Sequence, residues 1–474
     1  MTEEWFKWER ESTIHSLFMP LEACLKPEED YFGRGWPDTS LIYKGNVVLW
    51  CNRMDKLYEF GQELIDFFLE GGNLENMLSD FEDETAKLKS VSTTVASTNL
   101  SNLSAHELLF LYSQFKNQFV KWFAIGMLAE PVALQGEQII LKKTNDKKLI
   151  SALTSTTKES FSRRQLRELL EIAGKPESGL EKLLDLHAKK YFWLNNNYFK
   201  TEVLGKDYFR KELECLLKEH ESPEDYIREL KKVDSATAEE KKKAMDILAF
   251  DERDRKLVEL IDLFGWFQDY RKETLMQAVH HLDVLLKEFG KRSGFTLREM
   301  SYTLPGDLGP ILEKKFDREE IKRRMKNCLI IWKEHAENYE FYVGEKAIEK
   351  EQGLFDSEDS GAEIIEIKGT AACLGKAEGR ARVTMSAADA KDILQGEILV
   401  TSMTSPDFIV AIKKAAAIVT NEGGITCHAA IISREFGIPC IVGTRIATKA
   451  IKTGDYIEVN ANHGFVRKIV RGML

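Results

Sequence analysis

Apolar residues recur every three to four positions over 55–69, 105–129, 162–173, 207–219 and 253–289, a spacing that predicts amphipathic helices. Glycine and proline are sparse throughout this part of the chain. Two interruptions stand out. Within 40–52, two short apolar runs flank Lys44-Gly45-Asn46, which predicts a hairpin. Asn195, Asn196 and Asn197 follow an aromatic stretch and predict a break between helices.

The pattern changes past Gln352. Residues 352–366 are acidic, carry serine and glycine, and have little to bury, so they read as a flexible linker. Beyond them Arg380 to Met385 alternates polar with apolar, and Ile398 to Thr401, Ala417 to Thr420 and Ile438 to Val442 are compact enough for buried strands. Ser405-Pro406 offers a helix start, with the helix running through Lys414. Tyr456 to Val459 and Phe465 to Ile469 flank Asn462-His463-Gly464 as a closing hairpin. Strands alternating with helices predict an α/β domain. The expected fold is therefore multidomain: a mostly α-helical N-terminal region over 1–351, divisible near residue 150, then the 352–366 linker, then a C-terminal α/β domain over 367–474.

Composition narrows the function classes. With 43% hydrophobic and 30% charged residues the chain is ordinary globular protein, and a net charge of −10 argues against a nucleic-acid partner. No apolar run is long enough for a bilayer, and Met1 to Glu11 lacks the apolar core of a signal peptide, so the expected location is cytoplasmic with no membrane partner. Seven scattered cysteines without CxxC spacing read as reduced thiols. His280 and His281 are adjacent and diverge on a helix, and no metal site is expected.

The chemistry concentrates between Thr420 and Pro439. A strand ends at Thr420, Gly423 and Gly424 allow a tight turn and close approach to a ligand, and a helix is predicted from about Thr426 until Gly437 and Pro439 stop it. His428 then lies in the first helical turn, where orphan N–H groups and the helix dipole favour an anion by roughly 0.3–1 kcal/mol. A neutral imidazole there can attack phosphorus. Ala429, Ile432 and Phe436 form the buried face and leave His428 directed away from the core. On these features alone His428 can equally be a surface or capping residue. Cys427 can be read as a thiol nucleophile, although no base or orienting group accompanies it.

The run Gly423-Gly-Ile-Thr-Cys-His428-Ala-Ala, continued by Arg434-Glu-Phe-Gly-Ile-Pro-Cys-Ile-Val-Gly-Thr444, resembles the swivelling phosphohistidine domain of the phosphoenolpyruvate-utilising enzymes. That family includes phosphoenolpyruvate synthase, pyruvate phosphate dikinase and rifampin phosphotransferase. Further matches are Gly375-Lys-Ala-Glu-Gly-Arg-Ala-Arg-Val, Gly396-Glu-Ile-Leu-Val-Thr, Thr404-Ser-Pro-Asp and Gly454-Asp-Tyr-Ile-Glu-Val, so the resemblance spans about 367–470. It implies that His428 carries a phosphoryl group, that Thr426 and Cys427 help to orient it, and that Gly423 and Gly424 shape its loop. Family members pair this domain with an ATP-grasp domain, whose strands and Gly-rich loop the N-terminal half does not show. The implication is a separate ATP-grasp subunit that binds ATP and Mg2+, with none bound by this chain.

The helical region is similar in placement to the acceptor-binding domain of rifampin phosphotransferase-like proteins, which implies a small-molecule acceptor. Candidate acceptor residues are His187, Trp193 and Arg271, the last beside Tyr270 and Lys272 on a long helix where cations can meet phosphate. Each has a structural alternative: Trp193 as core, His187 as a satisfied helical histidine, Arg271 as a salt-bridged face. Trp5, Phe6, Trp8, Phe18 and Trp36 are either core or the lining of an apolar pocket. Two other functions stay open: a component of a split phosphoenolpyruvate synthase or pyruvate phosphate dikinase, and a non-catalytic phosphocarrier or regulatory binding protein.

Overall fold

Gly45 and Asn46 close a two-residue turn between β2 (Thr39–Lys44) and β3 (Val47–Arg53), which pair antiparallel outward from Lys44 and Val47. Gly45 has φ 64°, the left-handed conformation that such a turn asks of its first central residue. In this computed structural model, which describes residues 5–25, 31–219, 222–334, 336, 338–354, 366–424 and 427–469, the hairpin is the middle of a larger sheet. Its strand order is β1-β3-β2-β4-β5, all antiparallel, with β1 at Trp5–Glu11, β4 at Asn327–Trp332 and β5 at Glu340–Val343. The partner β4 arrives from almost 300 residues away in sequence. Local pattern does not report such pairing, which is why the N-terminal region reads from sequence as helices and one hairpin.

The chain divides into two compact units. One comprises Met1–Gln135, Asn197–Lys200 and Thr274–Glu363; the other comprises Gly136–Asn196, Thr201–Glu273 and Ile364–Leu474. The division at Glu363 and Ile364 falls within the 352–366 stretch, of which residues 355–365 lie outside the described residues, while 136–196 and 201–273 group with the C-terminal part. In the first unit the helices Ile14–Ala23, Met54–Leu69, Leu74–Ser97 and Ala105–Met127 bury Phe60, Phe81, Phe115, Phe119 and Trp122. Trp36 and Phe18 are core residues there as well. Among the described residues no helix is long and apolar enough to cross a membrane.

The second unit carries an eight-stranded sheet in the order β6-β13-β12-β8-β9-β10-β11-β7. These strands are β6 Glu366–Lys368, β7 Thr370–Cys373, β8 Lys376–Thr384, β9 Ile398–Thr401, β10 Ala417–Thr420, β11 Cys440–Val442, β12 Tyr456–Asn460 and β13 Phe465–Lys468. From β8 to β11 the pairing is parallel, and the central strands feed two cores. Leu399 and Ile418 pack with Ile412, Ala429, Ala430 and Ile432 on one face. Ile398, Val400, Ala417 and Val419 pack with Ile451, Ile457, Val459 and Val466 on the other. Burial on both sides accounts for the continuous apolar runs. The helix expected from Ser405 begins instead as a 3-10 turn, Pro406–Phe408, and becomes α-helical at Ile409–Lys414.

Helices Lys147–Thr154, Phe161–Ala173, Glu177–Tyr191, Lys206–Glu219 and Pro223–Ile247 belong to this unit, as does the first half of Glu252–Ser293. Ion pairs tie this helical part to the sheet domain, Lys413 with Glu212 of Lys206–Glu219 at 3.3 Å and Lys391 with Glu202, in the segment before that helix, at 3.8 Å.

Candidate active site

The helix that carries the candidate nucleophile runs His428–Phe436. It starts later than the sequence predicts: Cys427 is the N-cap residue, with no side-chain cap bond, and His428 is the first helical residue. Thr426 lies outside the described residues. At the other end Gly437 adopts φ 64°, and the Ile438 N–H donates to the Ser433 carbonyl at 2.8 Å. This six-residue closure satisfies an end carbonyl and needs a residue without Cβ strain at the turn. Gly423, at φ 98°, brings the preceding loop against Cys427, whose Sγ would lie 2.7 Å from an added Cβ.

His428 is not directed into open solvent, as the helical spacing suggests, but is only 4% exposed. The reason is tertiary. The helix packs on its own sheet through Ala429, Ala430 and Ile432, and Lys272, from Glu252–Ser293 of the same unit, is within electrostatic reach of the buried ring. Burial first, and the Lys272 charge second, hold the imidazole well below its ordinary pKa of 6.5, so the ring is neutral at pH 7. Its two nitrogens are in different environments. Nδ1 is 3.0 Å from the Thr404 hydroxyl, while Nε2 is buried with no hydrogen-bond partner among the described residues. With the ring proton on Nδ1 and donated to Thr404, the Nε2 lone pair is left unshared. Burial pushes the Cys427 thiol up, which disfavours the thiolate that nucleophilic attack by sulfur would need.

Three acidic side chains surround the loop and helix. The buried Glu137 carboxylate lies where a Cβ on Gly424 would collide with it, so that position accepts only glycine without displacement. Gly424→Ala is expected to lower stability by about 1–3 kcal/mol through overpacking. Glu137→Ala in the same chain should recover most of the loss in denaturant titration, and no recovery would show that Glu137 is not the obstacle.

Asp269, buried on the same long helix as Lys272, accepts the Phe161 N–H at 3.0 Å on Oδ2, and its Oδ1 has no partner among the described residues. Burial raises its carboxyl, opposed first by the charge of Lys272.

Glu435, on the His428 helix, meets Arg163, Ser160, Asp269 and Asp234. Burial raises its carboxyl to about 7, against the pull of Arg163 and Ser160 and with the push of Asp269 and Asp234. A carboxyl that holds its proton in the folded state but not in the unfolded one loses stability as pH rises from its ordinary pKa to its folded one. The thermal midpoint is therefore expected to fall between about pH 4.5 and about pH 7, and Glu435→Gln to reduce that slope. An unchanged slope in Glu435→Gln would assign the effect elsewhere.

The acceptor candidates His187, Trp193 and Arg271 are all buried. His187 is buried against Tyr191 and Phe209 with Nε2 3.2 Å from the Gln165 amide nitrogen, and burial lowers it to about 4. Trp193 is fully buried beside Phe161 and donates Nε1–H to the Lys190 carbonyl at 2.9 Å. Arg271 is buried on the helix that carries Lys272. Thr404, Glu137, Asp269 and Glu435 do not emerge from local sequence reading. Thr404 and Glu435 had a signal, as residues of the Thr404-Ser-Pro-Asp and Arg434-Glu-Phe-Gly matches.

Comparison with known proteins agrees with the C-terminal geometry. Residues 393–464 match the family described as PEP-utilising enzyme, mobile domain. Phosphoenolpyruvate synthase of Pyrococcus furiosus is 52% identical over 114 residues, which is 24% of this chain and 14% of that protein. The probable phosphoenolpyruvate synthase of Archaeoglobus fulgidus is 48% identical over 110 residues, 23% of this chain and 14% of that protein. For phosphoenolpyruvate synthase of Aquifex aeolicus the figures are 48% over 108 residues, 23% and 13%. The match spans about a seventh of the length of these curated relatives. The C-terminal part of this chain belongs to the mobile domains of the phosphoenolpyruvate-utilising enzymes.

Proposed function

We propose that this chain is the phosphohistidine-carrying and acceptor-binding component of a phosphotransferase, charged by a separate ATP-grasp subunit. The observation that carries this reading is His428 itself: a neutral, buried imidazole at a helix N-terminus, with Nδ1 at Thr404, Nε2 unpartnered and Lys272 nearby. In the first half-reaction Nε2 attacks the β-phosphorus of the nucleotide held by the ATP-grasp subunit with Mg2+, forming a P–N bond as the bond to the AMP oxygen breaks, and water then cleaves the β–γ anhydride and leaves one phosphoryl group on Nε2. The family resemblance makes the products AMP and inorganic phosphate. In the second, an acceptor oxygen attacks the same phosphorus, the P–N bond breaks, and Nε2 recovers its lone pair. Lys272 offsets charge on the transferring group, and the buried Asp269 carboxyl is available for the acceptor's proton.

A side chain only 4% exposed does not reach a nucleotide on another polypeptide. Charging therefore requires the C-terminal domain to leave the helices that cover His428, and discharge requires its return. One nucleophile serving two preorganised sites in turn is consistent with domain movement in the microsecond to millisecond range. The names of the relatives favour pyruvate as one acceptor to test, as in a split phosphoenolpyruvate synthase.

The test mixes the chain with a stand-alone ATP-grasp protein and ATP labelled in its β-phosphate. Acid-labile label on the chain, with AMP released, is the expected result. Absence of label with ATP and also with phosphoenolpyruvate overturns both the enzyme and the phosphocarrier readings. Discharge of label by pyruvate would select the synthase reading over transfer to another small molecule.

A further inference from the structure

We propose that Cys373 and Cys440 are a redox-active pair that closes into a cross-strand disulfide beneath the His428 helix. The two residues face each other directly in the antiparallel ladder between β7 and β11. Directly opposed residues in such ladders have Cα atoms about 4.5 or 5.5 Å apart, within the roughly 4.4–6.8 Å that a disulfide spans. Their side chains also share one apolar layer, with Cys440 inside the cluster that holds Ala429, Ala430 and Ile432, and Cys373 packed against it. The ladder shifts register between Cys440 and Ile441, so the pair sits at an irregularity where a small approach of the strands is least restrained.

Access follows from topology. β7 is four residues long and lies at the edge of the eight-stranded sheet, so it has one neighbouring strand, β11. Short edge strands open locally at low cost, and opening this one uncovers Cys440, which is otherwise fully buried. Cys373 is half-buried and is the entry point. Burial raises both thiols, and the Arg434 guanidinium counteracts it at Cys373, where it is the second influence after burial.

The chemistry is thiol–disulfide exchange with a low-molecular-weight disulfide such as oxidised glutathione. The Cys373 thiolate attacks one sulfur of the small disulfide and expels one thiolate; Cys440 then attacks Cys373 in the mixed disulfide and expels the second. Two protons leave the protein thiols and are taken up by the two expelled thiolates, so the protein is oxidised by two electrons and the small disulfide is reduced by two.

The bond has a structural consequence for the site. Arg434, on the His428 helix, donates Nε–H to the carbonyl of Ala372, next to Cys373, at 2.8 Å. The Cys440 thiol lies 4.0 Å from the carbonyl of Ala429, the residue after His428. Oxidation fastens the edge strand to which the helix is anchored and withdraws the thiol from its first turn. Cys427 is the rival partner, packed against the same cluster and within electrostatic reach of Cys440, but it caps the helix and is not opposed to Cys440 in the sheet.

Oxidised glutathione is applied to the full chain, free thiols are alkylated, and peptides are mapped by mass spectrometry without reduction. The expected product is a dithiothreitol-reversible cross-link joining peptides that contain Cys373 and Cys440. It should be lost in Cys373→Ser and in Cys440→Ser and retained in Cys427→Ser, with reduced variants checked for folding by thermal melting. Amide hydrogen exchange in β7 should slow at least several-fold in the cross-linked chain. A cross-link through Cys427, glutathione adducts alone, no reaction, or unchanged exchange in β7 would each overturn the proposal.

Discussion

Substituting His428 by alanine is expected to abolish acid-labile phosphate on the chain, a loss of at least about a thousandfold in loading rate, since removal of a covalent nucleophile removes the intermediate itself. The specificity of this expectation comes from the two ring nitrogens. Thr404 engages Nδ1 at 3.0 Å and nothing among the described residues engages Nε2, so the phosphorylated isomer should be the Nε2 one, assignable by phosphorus-coupled NMR of the loaded chain. Asparagine at 428 should fail equally, because an amide nitrogen has no basic lone pair for phosphorus. His463 serves as the internal control. It lies exposed in the turn between β12 and β13, and His463→Ala should load like the parent. Label that persists in His428→Ala would remove the foundation of the phosphotransferase reading.

The second large effect is expected at Lys272. In the proposed cycle its charge bears on His428 only while the C-terminal domain rests against the helices, so Lys272→Met should leave loading by the proposed ATP-grasp subunit nearly intact and slow discharge to acceptor. Loss of one preorganised charge stabiliser typically costs about 10²–10³-fold. Single-turnover transfer from pre-loaded chain separates the two steps. The same substitution has an independent readout in the unphosphorylated protein. The Lys272 cation adds to burial in depressing the His428 pKa, so its removal should raise that pKa, seen in an NMR titration of the ring. A parallel fall in loading and discharge, with no change in the titration, would place Lys272 outside the site.

Some of this was legible from local sequence and some was not, and the division has physical causes. Gly45 at the hairpin turn and Gly437 at the helix end were readable because each answers a requirement of its own few residues. The apolar runs at Ile398–Thr401 and Ala417–Thr420 were readable because a strand covered on both faces has no polar side to show. The helix start was misplaced by two residues, from about Thr426 to His428, since a threonine suggests a cap that the chain takes at Cys427 instead. The strands β1, β4 and β5 are not legible locally, because their place in the sheet depends on non-local pairing, most of all that of β2 with β4 almost 300 residues on, which leaves no periodic mark.

The likeness of the C-terminal domain to the mobile phosphohistidine domains, the position of His428 near the head of a helix after a Gly-Gly turn, and the helical character of most of the rest follow from local sequence. These depend on side-chain period, glycine conformation and a contiguous motif, all written within short reach along the chain. Packing across the unit is what covers His428, brings Thr404 to Nδ1, and gathers Lys272, Asp269, Glu137 and Glu435 around the loop and helix. Asp269 and Lys272 share one helix, Glu137 lies on another and Glu435 on the His428 helix itself, and the burial that raises the Asp269 and Glu435 carboxyls exists only once the helices and the sheet domain have packed together.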